Sequence, residues 1–465
     1  MDSKSVLMIA YYFPPEGNAA VYRPMRFLRE LVKKGWSATV ISCQPYQYER
    51  YDPQLLTQVP SITRVIRVKG VDPWRAFQTW RGVRIETKLA ASSAEEVRQV
   101  TAGHHAPWRS RLRELVRVAE ACIYRPDMAS SWIRPTTREA IEAYRHERPN
   151  VIWATIGPLS AGVVAYRTSV ATAVPYVLDF RDPWGLEYYA EEIRRPTWAK
   201  KIDNRLISCM FERAQAVVFM FEGIAERYMQ AFPAALKRSK IHIIPNGFEG
   251  EVESFVHAPG DHCEVLYAGT LYSYRYDSLL DGLLRLRRKD PRRAGLLRLR
   301  FIGEGLRELA ERVGDLGLDD VVKILPPTSS AEIRRRQQEA HALLVLGRTS
   351  GRKGHELVAG AKLFSYLQAG RPIIGIVPHD ETRRILARVG AQLIADVNDP
   401  TEVVAVFEKL LDAWSTRTLE RLVPNRTACE AYSSDRQIID LVAALDGTSP
   451  TRDLTVEVPS VNHLH

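Results

Sequence analysis

Two short stretches of this 465-residue chain gather side chains capable of chemistry. The first is Gly360-Ala-Lys-Leu-Phe-Ser-Tyr-Leu-Gln-Ala-Gly-Arg-Pro-Ile-Ile-Gly-Ile-Val377. Leu363, Phe364, Tyr366 and Leu367 are spaced as one apolar helix face. Gly370 stands where a helix stops, and Pro372 to Val377 suits a buried parallel strand. A helix opening at Gly360 after a polar loop points free N–H groups outward, and Lys362 in its first turn adds a cation; that combination holds anions such as phosphate. A surface helix with an incidental lysine is the other reading of this segment alone. The second stretch is Asp179-Phe-Arg-Asp182, with two carboxylates and a guanidinium at the end of a strand-like run. A charge cluster at the carboxyl end of a strand suits a site. Asp182 is placed to orient or deprotonate a hydroxyl, and Arg181 to pair with a carboxylate or phosphate. The alternative is that Arg181 and Asp179 only lock the loop. Phe180 and Trp184 read as packing.

The elements that position these residues alternate strand and helix. Strands are expected at Val6–Tyr11, Ser37–Cys43, Thr63–Val68, Val151–Thr155, Tyr176–Phe180, Ala216–Met220 and Ile241–Ile244. Helices are expected at Ala20–Lys34, around Thr136–His146, from Ser160 and over Trp198–Ala214. A second series opens after Pro245-Asn-Gly247, with strands at Val265–Ala268, Leu297–Ile302, Val321–Leu325, Leu343–Leu346, from Ile373 and at Gln392–Ile394, and a helix at Asp277–Arg287. Such alternation builds doubly wound parallel sheets, whose ligands sit at the carboxyl ends of the strands. Two domains fit the length. They are read as 1–245, with a basic insert at about 69–125, and 246–445, whose last helices can pack back on the first. Residues 446–465, rich in Ser, Thr, Pro and Asp, read as a disordered tail.

Composition narrows the class. Hydrophobic content of 45% and charged content of 26% describe a soluble globular protein. No run approaches a membrane span, and the strand-like Val6-Leu-Met-Ile-Ala10 leaves no room for a signal peptide. Five scattered cysteines without a Cys-x-x-Cys pair argue for a reducing cytoplasm and against structural zinc. The net charge of +10 is concentrated: residues 281–300 hold eight Lys/Arg against two Asp, and residues 69–125 eleven against six acids. No nucleic-acid motif accompanies them. An anionic membrane surface is the better partner. The segment 108–124 sets an apolar helix face among arginines, the pattern of an interfacial helix, although a core-packed surface helix fits it also.

These residues carry a resemblance. In order, Tyr12-Phe-Pro-Pro-Glu-Gly-Asn18, Gly35-Trp-Ser-Ala-Thr-Val40, Asp179-Phe-Arg-Asp-Pro-Trp184, Ile244-Pro-Asn-Gly247, Tyr267-Ala-Gly-Thr-Leu271, Phe301-Ile-Gly-Glu-Gly305 and Lys362-Leu-Phe-Ser-Tyr-Leu367 resemble landmarks of the retaining family-4 glycosyltransferases that use nucleotide sugars. The third is similar to a signature of one bacterial branch. The resemblance runs to about residue 445 and implies a GT-B fold, two Rossmann-like α/β domains facing a central cleft. It implies a UDP- or GDP-sugar donor and a lipid-linked or glycan acceptor in envelope or exopolysaccharide assembly. The protein would be cytoplasmic, or peripheral on the inner face of the membrane, with no metal because cationic side chains do that work. Arg275 and Lys362 would converge on the diphosphate with Gly360. Gly269, Gly303 and Glu304 would lie at the donor, the two glycines of Gly303-Glu-Gly305 letting the base approach. Gly17 and Asn18 would lie near the acceptor and the donor phosphates.

There are departures. Where the family carries two glutamates eight residues apart, this chain has Leu357, beside Glu356, and Ser365. A serine still hydrogen-bonds a ribose, without the carboxylate. The family's arginine after the glycine is Thr270, and the N-domain histidine has no counterpart in Thr155-Ile-Gly-Pro-Leu-Ser160. A non-catalytic nucleotide-sugar-binding relative and an epimerase on the same fold are therefore the competing expectations.

Overall fold

The computed structural model describes residues 4–44, 51–70, 125–184, 196–271, 274–348 and 355–449. The basic segment 108–124 and residues 450–465 of the expected tail lie outside them. The chain divides into two compact units. One takes Met1–Ile244 and Ile438–Asp453, the other Pro245–Gln437. No helix among the described residues is long and apolar enough to cross a membrane.

The first unit is built on strands β1 (Ser5–Ile9), β2 (Ser37–Cys43), β3 (Arg64–Val68), β4 (Val151–Ile156), β5 (Tyr176–Phe180), β6 (Ala216–Phe219) and β7 (Ile241–Ile243). They form one parallel sheet in the order β3-β2-β1-β4-β5-β6-β7. Strands buried on both faces read as continuous apolar runs, as Val6 to Ile9 and Val151 to Ile156 do. Helices α1 (Tyr22–Lys33), α2 (Ile133–Glu147), α3 (Ser160–Thr172), α4 (Thr197–Arg213) and α5 (Glu222–Ala231) make the crossovers. The expected helix from Ala20 begins instead as a short 3-10 turn, Ala19–Val21, capped by the Asn18 side chain accepting from the Ala20 amide. Strand order reverses between β1 and β4, which opens a crevice at the carboxyl edge there.

The second unit carries β8 (Cys263–Ala268), β9 (Leu297–Ile302), β10 (Val322–Leu325), β11 (Ala342–Leu346), β12 (Ile373–Val377) and β13 (Leu393–Asp396), in the parallel order β10-β9-β8-β11-β12-β13. Its longer helices are α6 (Asp277–Lys289), α7 (Arg307–Asp315), α8 (Ser330–Glu339), α9 (Lys362–Gln368), α10 (Glu381–Arg388) and α11 (Pro400–Ser415). The reversal falls between β8 and β11. The segment after Pro245 is stitched to α9: Glu253 donates its amide to the Gln368 carbonyl at 2.8 Å, and the Gln368 amide group donates to Glu249 O. Gly370, at φ 62°, closes that seam, because a Cβ there would stand 2.0 Å from Glu253 O. The basic run over 281–300 is largely spent locally, as Arg287 pairs with Asp320, Lys289 with Glu408 and Arg293 with Asp412.

The last helix, α12 (Ser434–Asp446), changes units along its length. Ile438, Leu441, Ala444 and Leu445 join Met8, Val40 and Val218 in the core of the first. The Gln215 side chain donates to the carbonyls of Ala444 and Leu445 at 3.1 and 2.9 Å. The helix runs through Asp446, the first residue of the expected 446–465 tail.

Two buried polar groups of the first unit carry measurable consequences. Arg23 on α1 donates to both carboxylate oxygens of Asp179 on β5, at 3.0 and 2.9 Å, with both side chains closed to solvent. Removing one partner of such a pair strands the other charge. Arg23→Ala is expected to cost roughly 3–5 kcal/mol in denaturant unfolding of the full chain, and replacing both residues by apolar ones to cost less. His242 on β7 is 2% exposed, and burial pushes its pKa down from 6.5 to about 4. The unfolded chain then takes up a proton near pH 6.5 that the folded chain refuses until about 4, so stability falls as pH drops through that window. The loss is up to roughly 3 kcal/mol. Melting curves of His242→Leu are expected to lack that part of the acid dependence.

Candidate anion site at a sheet switch point

The loops after β8 and β11 leave the second sheet side by side at its switch point, where an open α/β sheet places its ligands. Tyr274 and Arg348, one from each loop, form an antiparallel bridge. The Arg348 guanidinium lies 4.9 Å from the Tyr274 ring centre. Lys362, the first residue of α9, brings its ammonium 4.6 Å from the same ring and 3.9 Å from that of Tyr267. The ammonium donates to the Tyr267 hydroxyl and to the Thr270 carbonyl, while the Tyr267 hydroxyl donates to Thr270 O at 2.8 Å. Among the described residues neither cation is paired with a carboxylate.

Burial, with the Arg348 charge adding to it, pulls the Lys362 pKa down from 10.5 to about 7. The site thus holds two like charges around one ring, a half-buried one that barely keeps its proton and an exposed one. An anion entering between them would relieve both the desolvation and the repulsion. Glycines make the room. A side chain at Gly269 would come within 3.0 Å of the Lys362 ammonium, and one at Gly360 within 3.3 Å of the Tyr274 hydroxyl. Gly303, at φ 151°, is fixed by the backbone, since its Cβ would meet Gly269 O at 2.3 Å. Gly269 in turn donates its amide to Ile302 O at 2.8 Å. Asp380 lines the same pocket; it caps α10 by accepting from the Arg383 amide at 3.0 Å, and burial raises its pKa to about 6.

The sequence-derived residues divide here. Lys362, Gly360, Gly269 and Gly303 come together. Arg275 is turned outward, its guanidinium donating to Asn398 Oδ1 at 2.9 Å, and the cation that shares Tyr274 with Lys362 is Arg348, which the sequence reading did not single out. Glu304 is exposed, its carbonyl accepting from the Leu271 amide at 3.1 Å. Ser365 donates to the Lys362 carbonyl at 2.8 Å and faces a separate groove between α8 and α9, with Thr328, Gln337 and Gln368. The helix itself is short, Lys362–Gln368, so the anion-holding charge comes from side chains rather than from a long helix dipole.

In the first unit the charge cluster at the end of β5 is mostly structural. Asp179 is held by Arg23. Arg181 is 8% exposed and its guanidinium donates to the carbonyls of Ala20, Gly157 and Ile156, at 2.7, 2.7 and 3.4 Å. Its burial lowers its pKa, against the pull of Asp182 and Asp179. Gly157, at φ 139°, must be glycine to admit that guanidinium. The stretch Thr155–Ser160, which has no histidine, is therefore part of a lock tying the ends of β4 and β5 to the turn before α1. Asp182 is half-buried at the same edge. Nearby, Asp127 accepts from both the amide and the hydroxyl of Ser160, which closes the start of α3. Gly17 and Asn18 lie half-buried in the loop after β1, with Asn18 used as a cap. Among the described residues no group of three His, Cys, Asp or Glu is disposed to hold a metal ion.

Comparison with known proteins agrees with this architecture. No curated protein matches the sequence. Solved structures do, at low identity. Sucrose-phosphate synthase from Thermosynechococcus elongatus is 13% identical with a TM-score of 0.55, covering 94% of this chain and 97% of its own. The lipopolysaccharide outer core galactosyltransferase WaaB is 10% identical at 0.56, covering 95% and 99%. A TarM variant from S. aureus, in complex with fondaparinux, alpha-GlcNAc-glycerol and UDP, is 9% identical at 0.53, covering 95% and 100%. At such identities the likeness establishes the fold, two Rossmann-like units of the GT-B class. The sequence itself is similar to one family: residues 19–247 match the model described as a glycosyl transferase 4-like domain.

Proposed function

We propose that the protein is a glycosyltransferase that moves a sugar from a UDP- or GDP-sugar to a hydroxyl of a lipid-linked or glycan acceptor in envelope or exopolysaccharide assembly, with anomeric configuration retained, in the cytoplasm or at the inner face of the membrane. The observation that carries the reading is the Lys362–Arg348 pair around Tyr274, set at a sheet switch point of a chain with a glycosyl transferase 4-like domain. TarM, of the same fold class, was solved with UDP.

Cleaving a nucleotide sugar leaves a diphosphate whose negative charge grows toward the transition state. Fixed cations at the leaving oxygens stabilise that growth without reorganising. Lys362 and Arg348 supply them, with Gly269 and Gly360 leaving space for the phosphates. Arg348 can hold two oxygens at once, whereas Lys362 acts as a point charge. Asp182 is assigned to the acceptor hydroxyl, and Arg181 and Asp179 to holding the loop that carries it. Ser365 and Glu304 are assigned to the nucleoside end, and Gly17 and Asn18 to the acceptor side. No divalent metal is needed in this scheme, so chelation is expected to leave turnover within about twofold.

The pH dependence has a definite sign. A diphosphate needs Lys362 charged, and in the free protein its pKa is about 7. Affinity is therefore full below that value and falls as pH rises above it, one proton being taken up on binding, until pH passes the raised pKa of the complex. Calorimetry with UDP and GDP from about pH 6 to about pH 9, in buffers of different ionisation enthalpy, measures this. Lys362→Ala or Arg348→Ala is expected to weaken binding about 10- to 100-fold, and Arg275→Ala only about threefold. Lys362→Arg is expected to bind without the pH slope. Nucleotide release from a panel of nucleotide sugars with cell-derived acceptors then tests the reaction. Binding that Lys362→Ala abolishes, with no turnover, favours a non-catalytic relative; turnover without acceptor favours an epimerase. No nucleotide binding at all overturns the assignment.

A further inference from the structure

We propose that the outward face of α4 docks on an anionic lipid bilayer. The helix buries Ala199, Asp203, Ile207 and Met210. On the other side Trp198 is 52% and Ile202 50% exposed, one turn apart. Lys200, Lys201 and Arg205 are exposed around them. Asp203, the one acidic residue between Thr197 and Phe211, is 8% exposed and accepts from Arg125 at 2.8 Å, so it adds nothing negative to the outward face. Arg125 also donates to the Ala199 carbonyl and lies 5.7 Å from the Trp198 ring, which fixes the first turn.

The chemistry selects the occupant. Tryptophan with an aliphatic neighbour, rimmed by lysine and arginine, is the composition of a helix lying in a bilayer interface. The charge is complementary to anionic headgroups. Protein interfaces are depleted in lysine, which sets a bilayer ahead of a protein partner here. The placement is also informative. β5 and β6 are parallel neighbours joined through α4, so the helix starts at the carboxyl edge of the sheet, the edge that carries Asp182. A bilayer against Trp198 would then lie at the edge that the acceptor approaches. That last step rests on the glycosyltransferase reading; the docking itself does not.

The test is sedimentation of the full chain, without nucleotide, against vesicles of phosphatidylcholine alone and of phosphatidylcholine mixed with phosphatidylglycerol. Binding is expected only to the mixed vesicles and is expected to weaken with salt. Lys200→Ala and Lys201→Ala are each expected to cost about fivefold in partition, and Trp198→Ala about tenfold. Lys200→Glu with Lys201→Glu is expected to abolish binding. All three positions are outward, so melting temperature and nucleotide affinity should stay at wild-type values, which separates failure here from failure of the proposed activity. Equal binding to neutral vesicles, no binding to either, or unaltered binding of the charge-reversed variant overturns the proposal. So does self-association that Trp198→Ala abolishes while vesicles are ignored.

Discussion

An ammonium group drawn out of water and set beside a guanidinium is costly unless something negative arrives. That constraint organises the second unit. Lys362 is held on Tyr267 and Tyr274, ring faces that attract a cation but do not neutralise it. Its hydrogen bonds go to a hydroxyl and a carbonyl, which orient it without cancelling its charge. Gly269 and Gly303 lie where the loops after β8 and β9 pass too close for a side chain at Gly303. The parallel sheet supplies the rest, since its order reverses between β8 and β11 and leaves the loops after those two strands adjacent.

The first unit uses its cations differently. Arg23 and Arg181 are both buried, yet each is satisfied, one by a carboxylate and the other by three carbonyls. Satisfied charges hold structure, whereas an unsatisfied pair invites a ligand. Within the same four-residue motif, Asp179 is buried and paired with Arg23, and Asp182 is half-buried at the edge.

Much of the architecture was readable because buried parallel strands are uninterrupted apolar runs. β1, β11 and β12 stand where Val, Ile and Leu cluster between glycines and polar turns. Even the faint run at Gln392 is a strand, shifted to Leu393–Asp396 and paired along β12. The site was legible where one segment carried it, as with Gly360 and Lys362. It was not legible where partners come from distant loops. Arg348 follows a strand in a polar stretch with no periodicity to mark it, and only the bridge to Tyr274 gives it a role. Likewise Arg23 looks like one more polar position on an amphipathic helix until Asp179, 156 residues away, is seen to accept from it.

The placement of α12 bears on how the chain is made. Ile438, Leu441, Ala444 and Leu445 complete a core whose other members all lie between Val6 and Ile244. During synthesis the leading half would emerge with that apolar surface bare, and it would stay so until Leu445 had been translated. The unit that starts first is thus completed only after the second has been made, and a nascent chain halted near Ile244 would lack these core residues.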